Sequence, residues 1–568
     1  MAPHRYKDVF SPTHRKIHFV PFFALWKKFK EGYSSSDLRS DAMSGIIVGL
    51  VAMPLGMALA IACGVPPQNG LYTVIIGGLL IALLGGSRFQ VSGPTAAFVV
   101  ILAPIVHKFG LQGLLIAGFL SGFILFFMGL AGLGRLIQFI PYPVTTGFTS
   151  GIAVVIASLQ FKDFLGLQFE STSSHFAHNI SAMVQSFNTL QIQECAVGIV
   201  ALLLLVFWPK INKKIPSPII ALTTVTLATI VMSHFYPGIT FTTIKSKFGG
   251  IPQALPSFHV PWYEMTTSGD HVFSLKTIEA LIPSAFAIAM LGAIESLLSA
   301  VIADGMTQSK HDPDTELCAL GIGNMLCPFF GGIAATGAIA RTATNIRYGA
   351  KSPISAIIHA LFALLCVLLF APYISLVPMA ALAALLLVVA FNMSEINHVK
   401  HMFLVAPITD VIIFSFCFSL TVMFDMVIGV SVGIVLAALM FMKRMSDFTS
   451  GQVLLKEQHK SIHENIPHDH VVYEIAGPLF FGAAEKAVES ITSITDESKT
   501  IVFLMQHVPL MDMTGLVAFE STLQKLYSKG KTAYLVGVQK QPLSLLKKST
   551  FVTTKNVRFF EKLHDAFS

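Results

Sequence analysis

The sequence predicts an α-helical polytopic membrane protein of about fourteen transmembrane segments, built as a 7+7 inverted repeat and followed by a small α/β domain. Three observations carry that reading. Of 568 residues, 54% are hydrophobic and 12% charged, far from the composition of a soluble domain. Apolar runs of spanning length recur up to Met442 and then stop. Two of the runs are broken at corresponding places by small and hydroxyl residues, at Ser92-Gly93-Pro94-Thr95-Ala96-Ala97 and at Gly337-Ala338-Ile339-Ala340-Arg341-Thr342.

Residues 1–41 are polar and basic, with no apolar stretch ending in a small-residue cleavage site, so the first spanning helix is expected to serve as the insertion signal. The membrane region covers 42–444. In its first half, apolar runs lie near 42–63, 70–86, 111–131, 141–159, 195–208 and 216–234, with a half-helix near 94–107. In its second half they lie near 280–303, 316–330, 353–370, 375–391, 408–424 and 426–442, with a half-helix near 337–349. The repeats are thus 42–234 and 280–444, and an odd number of spans per half inverts the second copy. The net charge of +7 reflects 38 basic against 31 acidic residues. Basic residues concentrate in the first forty positions and at helix ends, which places both termini in the cytoplasm by the positive-inside rule and gives no reason to expect nucleic-acid binding. The six cysteines sit in or beside apolar runs without metal-ligand spacing, so neither a metal nor another cofactor is expected.

The segment Gly331–Ala350 carries the functional reading. Glycines, threonines, an asparagine and two arginines cannot face lipid, so this stretch must be buried in protein or line a cavity. A break over Gly331–Thr336 followed by a half-helix from Gly337 to Ile346 would leave N–H groups and a partial positive charge at the helix start, which suits an anion. Arg341, in or just beyond the first turn, would add a full charge and hold a carboxylate bidentately; its alternative is to neutralise a neighbour and brace the fold. Thr95, Ala96, Ala338, Ile339 and Ala340 would offer backbone donors and space, and small-residue helix packing would need the same composition. Glu295 falls about fifteen residues, roughly 22 Å, into its span and so near mid-membrane. An ionisable group there is a candidate proton carrier, the alternative being a permanent salt bridge to Arg341 or a hydrogen bond across helices that never titrates.

After a linker over 445–470, the tail 471–568 alternates strands (Val471–Ile475, Thr500–Gln506, Ala533–Val538) with helices (Ala483–Thr495, Thr514–Lys529, Pro542–Lys548), a small α/β domain. It holds no glycine-rich phosphate loop, Walker lysine or HExxH helix, so an enzyme is not expected.

Several runs, in order along the chain, resemble the sulfate permease (SulP) family of anion transporters: Pro54-Leu55-Gly56-Met57-Ala58, Val91-Ser92-Gly93-Pro94-Thr95, Gly147-Phe148-Thr149-Ser150-Gly151, Leu291-Gly292-Ala293-Ile294-Glu295-Ser296 and Arg341-Thr342-Ala343-Thr344-Asn345-Ile346-Arg347. The tail resembles the family's cytoplasmic STAS domain. The resemblance implies a core domain moving against a gate domain, with the anion between the amino ends of the third and tenth elements. It also implies that Met57 and Leu59 wall the pocket and that Glu295 occupies a position used for cation coupling. Met511-Asp512-Met513-Thr514-Gly515 departs from the STAS turn by placing Met513 at the first hydroxyl position, which weakens the case for phosphorylation at Thr514 and favours a helix cap. Ser92–Leu102, Lys162–Gln168, Ala289–Leu298 and Ser352–His359 are most similar to a bacterial branch carrying C4-dicarboxylates such as succinate. The expectation is therefore an inner-membrane importer of an organic dianion with protons, working by an elevator motion. It would be a homodimer assisted by the STAS domain, which a soluble regulator could also bind. Sulfate transport, sodium-coupled bicarbonate transport and an uncoupled channel are the alternatives.

Overall fold

The computed structural model describes residues 19–135, 140–169, 176–212, 215–236, 238–262, 275–424, 426–453, 467, 469–480, 498–549 and 557–567. These divide into two compact units, 1–434 and 435–568.

A short helix α1 (Phe23–Glu31) precedes the first span, α2 (Ser35–Ala62), whose start is fixed by a capping box between Ser34 and Asp37. Next comes α3 (Pro67–Leu84), with one π-helical stretch over Thr73–Gly77. The helix α4 (Ala96–Leu130) is two elements in one, because Gly110 at φ 68 and ψ −173 leaves the helical region and turns the chain. The half-helix expected near 94–107 and the span expected near 111–131 meet at that glycine. The first half closes with α5 (Tyr142–Leu165), α6 (Ile192–Ile211) and α7 (Ser217–Phe235). In the second half, α8 (Leu275–Thr307) is followed by α9 (Pro313–Leu326), the half-helix α10 (Ile339–Arg347), α11 (Ile354–Ile374), α12 (Met379–Met393), α13 (Ile408–Met423) and α14 (Met426–Asp447). Ten helical stretches among the described residues are long and apolar enough to cross a membrane. With the shorter elements they give seven in each half.

The helices sort into two bundles by contact: α2, α3, α4, α8, α9, α10 and α11 in one, and α5, α6, α7, α12 and α13 in the other. Within the first bundle the backbones approach closely where glycines face each other. A Cβ on Gly122 of α4 would lie 2.5 Å from the Met325 nitrogen and 2.7 Å from the Gly321 carbonyl of α9. Between lipid-solvated helices such small-residue contacts replace the hydrophobic drive that acts in water.

The second unit carries a five-stranded sheet in the order β3 (Ser450–Val453), β4 (His470–Ala476), β5 (Thr500–His507), β6 (Thr532–Val536), β7 (Val557–Phe560). The β3–β4 pair is antiparallel and the rest are parallel. Alternate residues of β5 serve opposite faces: Phe503 and Met505 pack with Phe519 and Leu523 of α15 (Met513–Ser528), while Val502 and Leu504 pack with Val536 and Ala566. Asp512 caps α15, its carboxylate accepting from the Gly515 nitrogen at 2.7 Å, and Thr514 is exposed in the first turn. One correction concerns the linker: β3 lies inside 445–470 and adds an edge to the sheet. The helix expected at Ala483–Thr495 lies outside the described residues.

Because Gly122 meets backbone, Gly122→Val should cost about 3 kcal/mol or more through overpacking. Gly118→Ala, whose added Cβ would meet only the Pro328 ring at 3.6 Å, should be tolerated. Fluorescence-detected size-exclusion of the two variants should show an aggregated and a native profile respectively.

Candidate functional site

The two breaks in the sequence meet in space. Ser92–Gly93 (β1) and Thr336–Gly337 (β2) pair antiparallel, Ser92 opposite Gly337 and Gly93 opposite Thr336. Each strand runs into a helix within three residues, α4 from Ala96 and α10 from Ile339. The antiparallel crossing therefore brings two helix amino ends to one place and sends the helices away from it.

Broken backbone in the interior needs partners, and polar side chains on neighbouring helices supply them. Asn69 donates to the Gly331 carbonyl at 2.6 Å. The Thr73 hydroxyl accepts from the Ile333 nitrogen at 2.8 Å, and Asn324 takes the Ala335 nitrogen and carbonyl at 2.7 and 2.9 Å. The Gly337 nitrogen donates to Ser296 Oγ at 2.8 Å and the Ala338 nitrogen to the Val91 carbonyl at 2.9 Å. Thr342 Oγ1 accepts from the Val91 nitrogen at 3.1 Å.

The helix starts are treated differently. Neither Thr95 nor Ala338, the two N-cap residues, caps its helix with a side chain, whereas Ser34, Asp312 and Asp512 do so elsewhere. The first N–H groups of α4 and α10, including those of Ala96, Ile339 and Ala340, have no acceptor among the described residues. Ala96 and Ala338 are buried, while Ile339 and Ala340 are exposed at the opening.

Glu295 stands beside this pair of ends. Gly292, Glu295, Ser296 and Ser299 share one face of α8 through their spacing, and that face runs along the crossing. Thr95 Oγ1 donates to Glu295 Oε2 at 2.7 Å, Ser296 meets Thr336 Oγ1 at 2.9 Å, and Ser299 donates to Thr342 Oγ1 at 3.1 Å. Arg341 is 5% exposed and sits in the first turn of α10. Its Nη2 donates to the Pro94 carbonyl at 2.5 Å, and its buried Nη1 has no acceptor among the described residues. Among the described residues Glu295 and Arg341 make no direct ion pair; Glu295 instead takes the cross-helix hydrogen bond from Thr95, and Arg341 the Pro94 carbonyl. Met57 and Leu59 are buried on α2, which packs against both α4 and α10.

Two of the supporting residues, Glu316 and Asp41, escaped the sequence reading. Glu316 is buried and accepts from the Gly86 and Ser87 nitrogens and from Gln90 Nε2 at 2.8 to 2.9 Å, fixing the turn that leads into β1. Asp41 likewise accepts from the Lys351 and Ser352 nitrogens, fixing the turn after α10. Asn345 accepts from Ser44 and donates to the Phe89 carbonyl at 2.9 Å, which anchors α10. The available signal was a polar residue repeating at helical spacing within an apolar span. Alongside the α4 half-helix, a cavity of about 430 Å³ separates Val99, Ala103 and His107 from Val155, Leu159 and Lys162 of α5.

Uncapped helix starts beside a buried guanidinium have the chemistry that suits an anion. The sulfate permease family model matches residues 38–417, and the STAS domain model matches 460–566. The chain belongs to the sulfate permease family. It is 41% identical over 539 residues to YvdB of Bacillus subtilis (strain 168), provisionally named a sulfate transporter, covering 95% of this chain and 98% of that one. The bicarbonate transporter BicA of Picosynechococcus is 26% identical, covering 90% and 91%. Murine Slc26a9, solved in the inward-facing state, superposes with a TM-score of 0.83 at 18% identity, covering 96% and 93%. The transmembrane domain of a cyanobacterial BicA gives 0.61 at 25% identity, covering 72% and 98%. The protein is a multi-pass anion transporter, and not an enzyme.

A Cβ on Gly93 would fall 2.6 Å from Arg341 Nη1. Gly93→Ala should therefore push the guanidinium aside and weaken anion binding about ten- to hundredfold, the value of one charge-assisted hydrogen bond. Anion-dependent thermal stabilisation of the purified variant, with sulfate and with succinate, measures that loss.

Proposed function

We propose that this transporter imports an organic dianion, a C4-dicarboxylate such as succinate, together with protons. The anion would lie between the amino ends of α4 and α10, contacting Thr95, Ala96, Ala338, Ile339, Ala340 and Arg341, with Met57 and Leu59 as walls. The observation that carries the proposal is the hydrogen bond from Thr95 to Glu295 at 2.7 Å, which puts an ionisable carboxyl at an uncapped helix start. Each helix end is worth about half a positive charge, so with Arg341 the site offers about two. A dianion matches that charge only when Glu295 is protonated. Ionised Glu295 leaves about one positive charge, which suits a monoanion or a dianion accompanied by a cation.

Proton and anion then enter together because each favours the other. An elevator motion is supported by the bonding: every contact named for the crossing comes from the first helix bundle, so that bundle can move as a unit past the second. The termini would face the cytoplasm of a bacterial inner membrane, and the STAS domain would assist dimer formation and offer a surface to a soluble regulator.

A second reading keeps the mechanism and changes the cargo to sulfate. It is favoured by the 41% identity to a protein named for sulfate. Bicarbonate transport is suggested by the likeness to the bicarbonate transporter BicA, and a sodium-coupled form of it would place sodium where the proton is proposed.

Proteoliposomes under imposed pH and sodium gradients decide among these. An inward proton gradient should drive labelled succinate above equilibrium, with unlabelled sulfate and bicarbonate competing weakly. Glu295→Gln should retain downhill flux but lose gradient-driven accumulation; full accumulation in that variant would remove the proton role. Arg341→Ala should reduce uptake at least a hundredfold, about 3 kcal/mol, with normal expression.

A further inference from the structure

The helix α1 lies outside the proposed anion site, and one of its faces is largely exposed among the described residues, with Phe29 meeting the Tyr33 ring edge-on at 5.5 Å. Phe22, Trp26 and Phe29 are 48, 56 and 55% exposed, and their spacing puts them on one stripe, while Ala24 is buried on the opposite side. Lysines border the stripe, with Lys30 Nζ 3.6 Å from the Trp26 ring centroid and Lys27 Nζ 5.8 Å from that of Phe23. Lys28 is taken by Asp37 at 3.2 Å and Glu31 by Arg88, so Lys27 and Lys30 are the cations of α1 left without an acidic partner among the described residues.

The depth of α1 follows from α2. A 28-residue helix is about 42 Å long, against about 30 Å of hydrocarbon, so the first turns of α2 reach the headgroups. Three residues separate α1 from α2 and keep it at that level. The apolar stripe also continues onto α2 through Leu38, Met43 and Ile46, exposed by 48, 56 and 40%. An aromatic stripe edged by lysines and continuous with a lipid-facing span fits the boundary between acyl chains and acidic headgroups.

We propose that α1 docks on the anionic headgroup surface of the bilayer, with Phe22, Trp26 and Phe29 inserted and Lys27 and Lys30 on lipid phosphates, and that this docking braces the turn feeding the anion site. The brace is visible in the contacts. The Ala24 nitrogen donates to the Gly85 carbonyl at 3.4 Å, and Glu31 pairs with Arg88. Glu316 holds Gly86 and Ser87 of the same turn from the opposite side, and four residues beyond Arg88 the chain enters β1 at Ser92. Lipid bound to α1 thus restrains the segment that positions the first half-helix.

The test uses the full chain with Trp208 and Trp262 changed to Phe, leaving Trp26 as the fluorophore. It is reconstituted in phosphatidylcholine vesicles with or without about one third phosphatidylglycerol, the acyl chains brominated near the headgroup. Trp26 should be quenched more strongly, and emit further to the blue, in the anionic vesicles, and high salt should reverse the difference. Lys27→Gln with Lys30→Gln should weaken the lipid dependence about fivefold per lysine. Amide exchange over 85–91, followed by mass spectrometry, should be slower in the anionic vesicles for the parent chain and indifferent to lipid in the double variant. Quenching that is equal in both lipids, or absent from both, overturns the docking. Exchange over 85–91 that ignores lipid in the parent chain overturns the brace.

Discussion

The antiparallel contact between Ser92–Gly93 and Thr336–Gly337 is the constraint on which the transport unit depends. Two chain segments that leave helical geometry inside a bilayer expose backbone groups, each costing several kcal/mol if unmet. Pairing the segments with each other satisfies part of that demand, and side chains on α3, α8 and α9 satisfy most of the rest. The unspent donors gather at the starts of α4 and α10, where geometry also concentrates the helix dipoles. On the proposed reading, anion affinity follows from these remaining donors, which lie where the guest would bind.

Glycine at the crossing serves close approach. A Cβ on Gly337 would lie 2.3 Å from Gln90 Nε2 and 3.0 Å from the Ser296 Cα, and one on Gly93 would strike Arg341. The same economy explains two further buried carboxylates. Glu316 and Asp41 each collect backbone donors from a turn in the opposite repeat, so each half of the molecule secures the other's broken helix.

Much of this was legible in the sequence, for reasons that also mark where legibility ended. Ser92-Gly93-Pro94-Thr95 and Gly331–Thr336 stand out because small and hydroxyl residues interrupt long apolar runs, and Arg341 and Glu295 stand out because charge is rare at that depth. The repairing residues were not legible: Asn69, Thr73, Asn324 and Ser296 each look like one polar residue in an ordinary helix, and their partners lie up to 262 positions away in sequence. Glu316 and Asp41 were illegible for the same reason, their partners lying 226 to 311 positions away. In the tail, the central parallel strands announced themselves by continuous apolar runs. The edge strands Ser450–Val453 and Val557–Phe560 are four residues each, too short and mixed to carry a period.

The charge balance also bears on how one architecture can serve several cargoes. Helix ends and Arg341 present about two positive charges whatever arrives, and the Glu295 carboxyl can cancel one of them. On the proposed reading, changing what neutralises that carboxyl, whether a proton or a metal cation, would change the anion charge the site accepts without moving its backbone. Selectivity between a compact tetrahedral dianion and an extended dicarboxylate must then come from the walls, and the opening beside Ile339 and Ala340 is where a second carboxylate would have to fit. Cargo in this family can therefore diverge through a few apolar side chains, while the crossing and its repairs stay fixed by the cost of unmet backbone in the bilayer.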